Sequence, residues 1–323
     1  MTDQATQKSV YPETAAGRSR WILSQRGQRR TVNPKLPYAT LHEPELDAEG
    51  ILQPTNILFL TNTECPYRCL MCDLWKDTLQ THTAPGAIPH QIASALAVLP
   101  TATQIKLYNA GSFFDPQAIP LQDHAAIAQL CTPFQRVVVE CHPSLIGERT
   151  LAFSRQIPGK LEVAVGLETA HAPSLKLLNK GFTLDTFRRK AEFLINNNID
   201  LRVFLLVKTP FMTEAEGVEH AIHSVDYSIE CGASVCVVIP VRAGNGAVEA
   251  IAAETGWQPP RLHSLEAVHR YGVGLNKARV FADLWDSHRF VACEHDMVRV
   301  HNMEAMNANQ HLMDAAMRLE CCG

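Results

Sequence analysis

The sequence lacks any long hydrophobic run. None of its apolar stretches approaches the roughly 20 residues that a helix needs to span a bilayer. Residues 1–7 are polar and lack the apolar core of a signal peptide. These absences argue against a membrane-spanning or exported protein, so we expect a cytoplasmic chain. The ten cysteines are then expected to stay reduced, and no disulfide framework is expected.

Charged residues are also scarce, and they are unevenly distributed. Asp, Glu, Lys and Arg make up 19% of the 323 residues, and the net charge of −4 argues against a general nucleic-acid-binding protein. Residues 1–36 nevertheless hold seven basic and two acidic side chains, a net of +5. Such a basic arm can contact phosphates, although an ordinary solvated tail is the simpler interpretation. The basic residues are Lys8, Arg18, Arg20, Arg26, Arg29, Arg30 and Lys35.

Short apolar runs alternate with longer helix-compatible segments from residue 56 onward. This alternation predicts repeated β–α units and a parallel sheet. Six strands that close part-way give a partial (β/α)6 TIM-type barrel, an α/β fold whose strand-to-helix loops all lie at one mouth. The predicted strands cover residues 56–61, 103–108, 136–141, 161–167, 201–208 and 234–241. The predicted helices cover residues 91–99, 116–130, 144–155, 183–197 and 214–231.

The sequence divides into three parts around this barrel. Residues 1–50 have no clear periodicity and are interpreted as a basic N-terminal extension. Residues 51–245 contain the alternating segments and are predicted to form the barrel core. Residues 246–323 are predicted to be a C-terminal extension that packs on the barrel and contains a helix over 303–320, which is rich in Ala and Met.

Three cysteines within eight residues are the strongest chemical signal in the chain. Cys65, Cys69 and Cys72 follow a predicted strand with the spacing C-x3-C-x2-C. Three thiolates can hold a cubane of four irons and leave one iron open to a small molecule that accepts an electron. A zinc site usually needs a fourth ligand, and His82 lies ten residues farther on. The spacing therefore favours a [4Fe–4S] cluster, with zinc and three core cysteines as the alternatives.

Polar residues follow the predicted strands at their carboxyl ends, where parallel barrels bind their ligands. Gly111 and Ser112 follow the second strand, and small residues there let backbone groups approach a ligand closely. Glu168 ends the fourth strand and can accept hydrogen bonds from ribose hydroxyls, while Lys180 in the next loop is a cation suited to a carboxylate. Each alone is more often a turn or surface residue, but together they predict a ligand site. The remaining strands end near Glu140, His142, Lys208 and Arg242.

The cysteine motif resembles the signature C-x3-C-x-Φ-C of radical S-adenosylmethionine (SAM) enzymes, with Met71 at the usually aromatic Φ position. Within that superfamily, Gly166-Leu-Glu-Thr and Asn179-Lys-Gly are similar to the group of Elongator catalytic subunits, methylthiotransferases and NifB-like proteins. The strings ECPYRCLMCDLW (64–75) and LLVKTPFMTEAE (205–216) look most like the radical SAM subunit of archaeosine synthase and its bacterial relatives. The resemblance covers residues 50–300.

This resemblance implies two cofactors, a [4Fe–4S] cluster and SAM. The fourth iron of the cluster would chelate the amino and carboxylate groups of SAM. Strand-end residues would contact the amino group, the ribose and the carboxylate, and the Φ residue would pack near the adenine. The implied cluster ligands are Cys65, Cys69 and Cys72, and the implied SAM contacts are Met71, Gly111, Ser112, Glu168 and Lys180.

The resemblance also implies a reaction and partners. One electron, from an external donor of the flavodoxin or ferredoxin type, would cleave SAM to methionine and a 5′-deoxyadenosyl radical that removes hydrogen from the substrate. In the archaeosine pathway the substrate is a modified 7-deazaguanine in tRNA. The basic residues of 1–36 would then contact the tRNA phosphates. The resemblance also allows for a partner subunit. Radical chemistry on a small molecule or peptide, and a non-catalytic iron–sulfur or zinc protein, are the alternatives.

Cysteines and histidines near the C-terminus raise the question of a second metal or cluster. Cys293 and His295 lie close to His301 in sequence, and Cys321 and Cys322 are adjacent. Adjacent cysteines are awkward ligands for a single metal, and the spacing matches no common site. Residues without a metal-binding role are therefore the simpler interpretation, and a second metal or cluster held by Cys293, Cys321 and Cys322 is the alternative.

Overall fold

The computed structural model describes residues 11–313. Eight strands form one sheet in the order of the sequence, with β1 antiparallel to β2 and the other neighbouring pairs parallel. The strands are β1 (Ala39–Leu46), β2 (Leu52–Leu60), β3 (Gln104–Asn109), β4 (Arg136–Glu140), β5 (Lys160–Glu168), β6 (Asp200–Val207), β7 (Val235–Pro240) and β8 (Arg279–Ala282).

Helices connect the parallel strands and cover the outer face of the sheet. Outward side chains of the strands, such as Leu107 and Val203, pack against them in one large core. The α-helices are α1 (Ala15–Gln25), α2 (Ala87–Leu96), α3 (His124–Leu130), α4 (Glu148–Ser154), α5 (Ala172–Leu177), α6 (Leu184–Asn196), α7 (Glu214–Glu230), α8 (Ala247–Thr255), α9 (Leu262–Leu275) and α10 (Glu294–Asn309). No helix within residues 11–313 is both long and apolar enough to cross a membrane.

The predicted partial TIM-type barrel is confirmed. Its six predicted strands are present as β2 to β7, and these are rich in Val, Leu and Ile because a parallel sheet is buried on both faces. The sheet also has two edge strands that the sequence did not predict. β1 is polar and contains Pro44, which an edge strand tolerates because its N–H side can stay unpaired. β8 has only four residues, too few to show a pattern.

Two predicted helices differ from the structure. The helix expected over 116–130 begins only at His124, after turns and a short 3-10 segment, because Pro120 disfavours helical geometry in the residue before it. Of the helix expected over 303–320, residues 314–320 lie outside the described part of the chain; the remainder belongs to α10, which begins at Glu294 and ends where Gln310 takes a left-handed conformation. Helix α7 begins with a capping box, in which Thr213 and Glu216 make reciprocal side-chain to backbone hydrogen bonds.

The two edges of the curled sheet approach each other at the amino ends of the parallel strands. Helix α10 contacts both β8 and β1. The Arg279 guanidinium donates to the carbonyl oxygen of Leu46 at 2.6 Å, and Leu46 packs against Phe281 and Val235. The barrel is therefore bridged at its base, and its interior is accessible from the carboxyl ends of the strands.

Ion pairs fill the base of the barrel interior. Arg202 is almost fully buried, and its guanidinium donates to Glu162 at 2.5 Å and to Glu45 at 2.6 Å. Lys106 also pairs with Glu45. Burial alone would raise the pKa of Glu45, but Arg202 and Lys106 hold that pKa well below its ordinary value. These charges therefore neutralise one another and close the base of the cavity described next.

Candidate functional site

A cavity of about 1510 Å³ lies inside the barrel. It extends from the cysteine loop, at the carboxyl ends of the strands, down to Lys106 and Arg202. Sites for single small ligands usually measure about 300–1,000 Å³. This cavity therefore has room for a cofactor and a second molecule.

The three cysteines all line this cavity. Hydrogen bonds between the backbone of the cysteine loop and two other loops hold it in place. The Leu70 N–H donates to the carbonyl oxygen of Leu178 at 2.9 Å. The side-chain amide of Asn179 donates to the Arg68 carbonyl at 2.8 Å, and that of Asn245 donates to the Leu70 carbonyl at 2.6 Å. The loops after β5 and β7 thus fix the position of the cysteine loop.

Glu64, immediately before Cys65, ties the cysteine loop to the N-terminal segment. Its carboxylate accepts from Arg26 at 2.6 Å and from Arg29, and Arg68 lies 3.2 Å away. Burial alone would raise the pKa of Glu64, but these guanidinium groups lower it. We call the segment from Arg26 to Arg30 the strap, because it crosses beside the cysteine loop.

The structure uses much of the predicted basic arm internally. Arg18 is buried, and its Nε donates to Asn179 at 3.3 Å. Arg26 and Arg29 of the strap bind Glu64, and Arg30 pairs with Asp77 at 2.8 Å. Lys8 lies outside the described residues, and the two remaining basic residues, Arg20 and Lys35, are exposed.

We expect Glu64→Gln to destabilise the protein, because three arginines lose their anionic partner. Hydrogen bonds to charged groups contribute about 1.5–3 kcal/mol each, so we expect a loss of roughly 1–3 kcal/mol in the free energy of unfolding, measured with urea. Glu49 is exposed, and Glu49→Gln is the control. Equal stability of the two variants would contradict the strap's anchoring role.

The carboxylate predicted at the end of β5 is held beside the predicted cation. Glu168 and Lys180 are both buried and form an ion pair of 2.8 Å. A Cβ on Gly166 would lie 2.4 Å from Glu168 Oε1, so a larger residue there would displace the Glu168 carboxylate. Glu168 has a left-handed backbone (φ 69°) at a shift in strand register, and such strain is typical of functional sites.

Gly111 and Ser112, predicted together, have different positions. Gly111 lines the cavity with φ 146°, and a Cβ there would lie 3.4 Å from the Cα of Cys65. Ser112 is buried, and its hydroxyl accepts the backbone N–H of His142 at 2.9 Å. The structure therefore brings Gly111 to the cavity with the cysteines, while Ser112 joins the ends of β3 and β4 beneath it.

His142 links the cysteine loop to the Lys180 loop. Its ring stacks on Tyr67, with 3.6 Å between the ring centroids and 12° between the planes. The Ser144 N–H donates to Nδ1 at 3.2 Å, so Nε2 carries the proton that the Lys180 carbonyl accepts at 2.8 Å. Burial lowers the pKa of His142 to about 4, so the ring is neutral at pH 7. The sequence marks His142 only as a residue at the end of a strand.

Met71 and Glu140 complete the polar and apolar lining near the cysteines. Met71 is half-buried, packs against a small core around Leu70 and faces the cavity. Glu140, on the inner face of β4, accepts the Asn109 N–H at 3.3 Å. Burial, with Glu168 nearby, raises the pKa of Glu140 to about 8. The sequence signal for Glu140 was a lone acid at the end of a valine strand.

The three cysteines of the loop are compatible with an iron–sulfur cluster. Burial raises the pKa of Cys65 to about 11 and raises the pKa values of Cys69 and Cys72, and metal binding ionises such thiols. In residues 11–313 no three His, Cys, Asp or Glu side chains could hold one metal ion. A cubane binds each cysteine to a different iron, so its sulfurs need not converge on one point.

The suggested second metal site finds no support in the part of the chain that the structure describes. Cys293 Sγ lies 4.0 Å from His295 Nδ1, and His301 faces Glu304 on the surface. No set of three ligands forms within residues 11–313. Cys321 and Cys322 lie outside those residues.

Comparisons with known proteins identify archaeal sequence relatives, although no protein-family model matches the chain. An uncharacterized protein of Methanocaldococcus jannaschii is 25% identical over 254 residues, which are 74% of this chain and 70% of that protein. Archaeosine synthase subunit beta of Methanosarcina acetivorans is 28% identical over 174 residues, covering 51% of this chain and 50% of the relative. The subunit beta of Thermococcus kodakarensis is 26% identical, with 49% and 51% covered. The chain thus spans about half the length of these two subunits.

Solved structures share the fold. Methylornithine synthase superposes with a TM-score of 0.54 at 14% identity, covering 92% of this chain and 77% of that one. Streptococcus suis SuiB, bound to its precursor peptide SuiA, gives 0.51 at 13% identity, covering 70% and 48%. With the sequence relatives, these matches confirm the resemblance to the radical SAM superfamily that the cysteine motif indicated.

Proposed function

We propose that this chain, a radical SAM enzyme by motif, relatives and fold, uses a [4Fe–4S] cluster to cleave SAM reductively. The proposal is carried by one observation: three cysteines at the superfamily spacing share a barrel cavity with Gly111 and the Glu168–Lys180 pair. When bound, the two cofactors would supply a 5′-deoxyadenosyl radical that abstracts hydrogen from the substrate. Cys65, Cys69 and Cys72 would hold the cluster.

The chain's own residues would bind and orient SAM. The bare backbone of Gly111 beside Cys65 would leave room for the methionine part of SAM. The Glu168 carboxylate would accept hydrogen bonds from the ribose hydroxyls, and the adjacent ammonium of Lys180 would attract the SAM carboxylate. Met71 would pack near the adenine. The barrel walls would exclude water from the reacting atoms.

We expect Glu168→Ala to weaken SAM binding without removing the cluster. Loss of hydrogen bonds to a charged group costs about 1.5–3 kcal/mol, which corresponds to roughly 10- to 100-fold in affinity. Equilibrium dialysis with SAM on the reconstituted protein would measure this change. Glu219→Ala, at an exposed position, is the control. Wild-type SAM affinity in Glu168→Ala would remove Glu168 from the site.

We propose a modified 7-deazaguanine in tRNA as the leading substrate, as in an archaeosine-type lyase. The two archaeosine synthase relatives support this class, and the word subunit in their names supports a partner subunit. Filter binding of tRNA at increasing salt is the test, because contacts to phosphates weaken steeply with ionic strength. We expect Arg20→Ala/Lys35→Ala to reduce the salt dependence; salt-independent or absent tRNA binding would contradict the tRNA proposal.

Radical chemistry on a small molecule is the second candidate. It is favoured by the strap, because Arg26 and Arg29 are largely covered and pair with Glu64, which leaves fewer cations for phosphates. In both cases the electron would come from a flavodoxin- or ferredoxin-type donor. We also propose a cytoplasmic location, where the cluster cysteines would stay reduced.

A further inference from the structure

Tyr67 lies inside the cysteine loop, two residues after Cys65, and its ring contacts residues from outside that loop. The ring stacks on the imidazole of His142, with 3.6 Å between the centroids and 12° between the planes. At this distance the two rings overlap closely, whereas most aromatic pairs in proteins are offset or edge-to-face. A second stacked pair in the described part of the chain, His171 and His220, has a wider separation of 4.0 Å.

A glycine leaves the room that the Tyr67 ring occupies. Gly181 has a left-handed backbone (φ 77°), and a Cβ built on it would lie 3.2 Å and 3.3 Å from the Cδ1 and Cε1 atoms of Tyr67. Such contacts are tighter than ordinary van der Waals contact, so a side chain at position 181 would press on the ring. The next residue, Phe182, meets His142 edge-on, with 5.2 Å between the centroids. Residues 180–182 thus form part of the seat of the Tyr67 ring.

His142 is itself fixed by three hydrogen bonds that do not involve the cysteine loop. Its backbone N–H donates to the Ser112 hydroxyl at 2.9 Å. Its ring accepts from the Ser144 N–H at 3.2 Å and donates to the Lys180 carbonyl at 2.8 Å. The imidazole is therefore a rigid surface attached to the end of β4 and to the Lys180 loop. Because stacked rings have a preferred separation and orientation, Tyr67 gives the cysteine loop a defined position relative to Lys180.

We infer that Tyr67 and His142 are positioning residues that hold the cysteine loop in register with the Lys180 loop. The inference rests on the proposed function and names what controls the placement of its two cofactors relative to each other. In that proposal the cysteine loop would hold the cluster, and Lys180 would attract the SAM carboxylate. A shift of one loop against the other then moves SAM away from the open iron, and misplacements of about 1 Å can slow a reaction about a hundredfold.

The test compares Tyr67→Leu with the wild type, both as the full chain reconstituted anaerobically with iron and sulfide. The first measurement is the rate at which a chelator removes iron in the absence of SAM. The second is the SAM concentration that half-shifts the electron paramagnetic resonance signal of the reduced cluster. We expect iron to leave Tyr67→Leu about two- to tenfold faster and the half-shift to need about two- to tenfold more SAM, as the loss of one aromatic pair predicts.

Three further variants separate the stack from other effects. Tyr67→Phe keeps the ring and should behave like the wild type in both measurements. His142→Gln loses the ring but keeps an amide donor for the Lys180 carbonyl, so it should resemble Tyr67→Leu. His220→Gln removes the second stacked pair and is the matched control, with wild-type values expected. In the metal-free protein, proton resonances of the His142 ring should be shifted by the Tyr67 ring, and Tyr67→Leu should remove that shift.

Three results would overturn the inference: wild-type values for Tyr67→Leu, an equal change in Tyr67→Phe or His220→Gln, or a change in only one of the two measurements. A change in SAM affinity alone would make Tyr67 a direct SAM contact. SAM cleavage is assayed in the same preparation. If the wild type cleaves SAM and Tyr67→Leu is unchanged, only this inference fails. If the wild type assembles no cluster, the proposed function fails, and the resonance shift in the metal-free protein still tests the stack.

Discussion

Cys69→Ala is expected to lose the iron–sulfur cluster and all SAM cleavage while the fold remains. The variant keeps two cysteine ligands, so two of the four irons would have no protein ligand. We therefore expect that the cluster does not assemble during reconstitution. The loop itself is held by hydrogen bonds to the backbone of Arg68 and Leu70, not by the thiol of Cys69. The far-ultraviolet circular dichroism and the unfolding midpoint should therefore stay close to those of the wild type.

Iron and sulfide content, with 5′-deoxyadenosine formation, measure this expectation. Cys293→Ala is the matched control, because Cys293 lies outside the cavity lining and tests the suggested second site. It should retain wild-type iron content and cleavage. Retained cleavage in Cys69→Ala would refute the assignment of the cluster ligands. A loss of iron in Cys293→Ala would show that a second site exists.

Arg202→Met is expected to cause the largest loss of stability. The side chain is almost fully buried, and its removal leaves Glu162 and Glu45 without their main cation. Breaking a buried ion pair by removing one partner costs about 3–5 kcal/mol. Urea unfolding at pH 7 measures the change. Arg189→Met is the control, because its ion pair with Asp185 is exposed and such pairs contribute about 0–1 kcal/mol.

This loss should depend on pH in a definite direction. The folded-state pKa of Glu45 is lowered, so its ion pairs stabilise the wild type above the ordinary pKa of about 4.3. That stabilisation is lost as the pH falls through the folded-state value. The difference between wild type and Arg202→Met should therefore shrink below about pH 4. A difference that is small at pH 7, or that grows on acidification, would contradict the ion-paired base.

The six inner strands could be predicted because burial on both faces leaves a local signal, a run of Val, Leu and Ile. The strands at the edges lack it. β1 is half exposed and carries Pro44, and β8 is stabilised by distant contacts such as that of Arg279 with Leu46. The early start of α10 was missed for the related reason that its first turns are polar.

The site was predictable where a residue's role follows from its position at a strand end. The cysteines, Gly111, Glu168 and Lys180 meet at one cavity, as parallel strands require. The strap was not predictable, because Arg26 and Glu64 lie 38 residues apart and their pairing leaves no local pattern. The hydrogen bond of Ser112 with His142 likewise joins residues that lie 30 positions apart in the sequence.

Reductive cleavage of SAM tests the central claim most directly. The protein is reconstituted anaerobically with iron and sulfide, reduced and assayed for 5′-deoxyadenosine. We predict a four-iron cluster and 5′-deoxyadenosine in the wild type, and neither in the triple Cys65/Cys69/Cys72→Ala variant. Stoichiometric zinc in place of any iron–sulfur cluster, with no 5′-deoxyadenosine formed, would contradict the account.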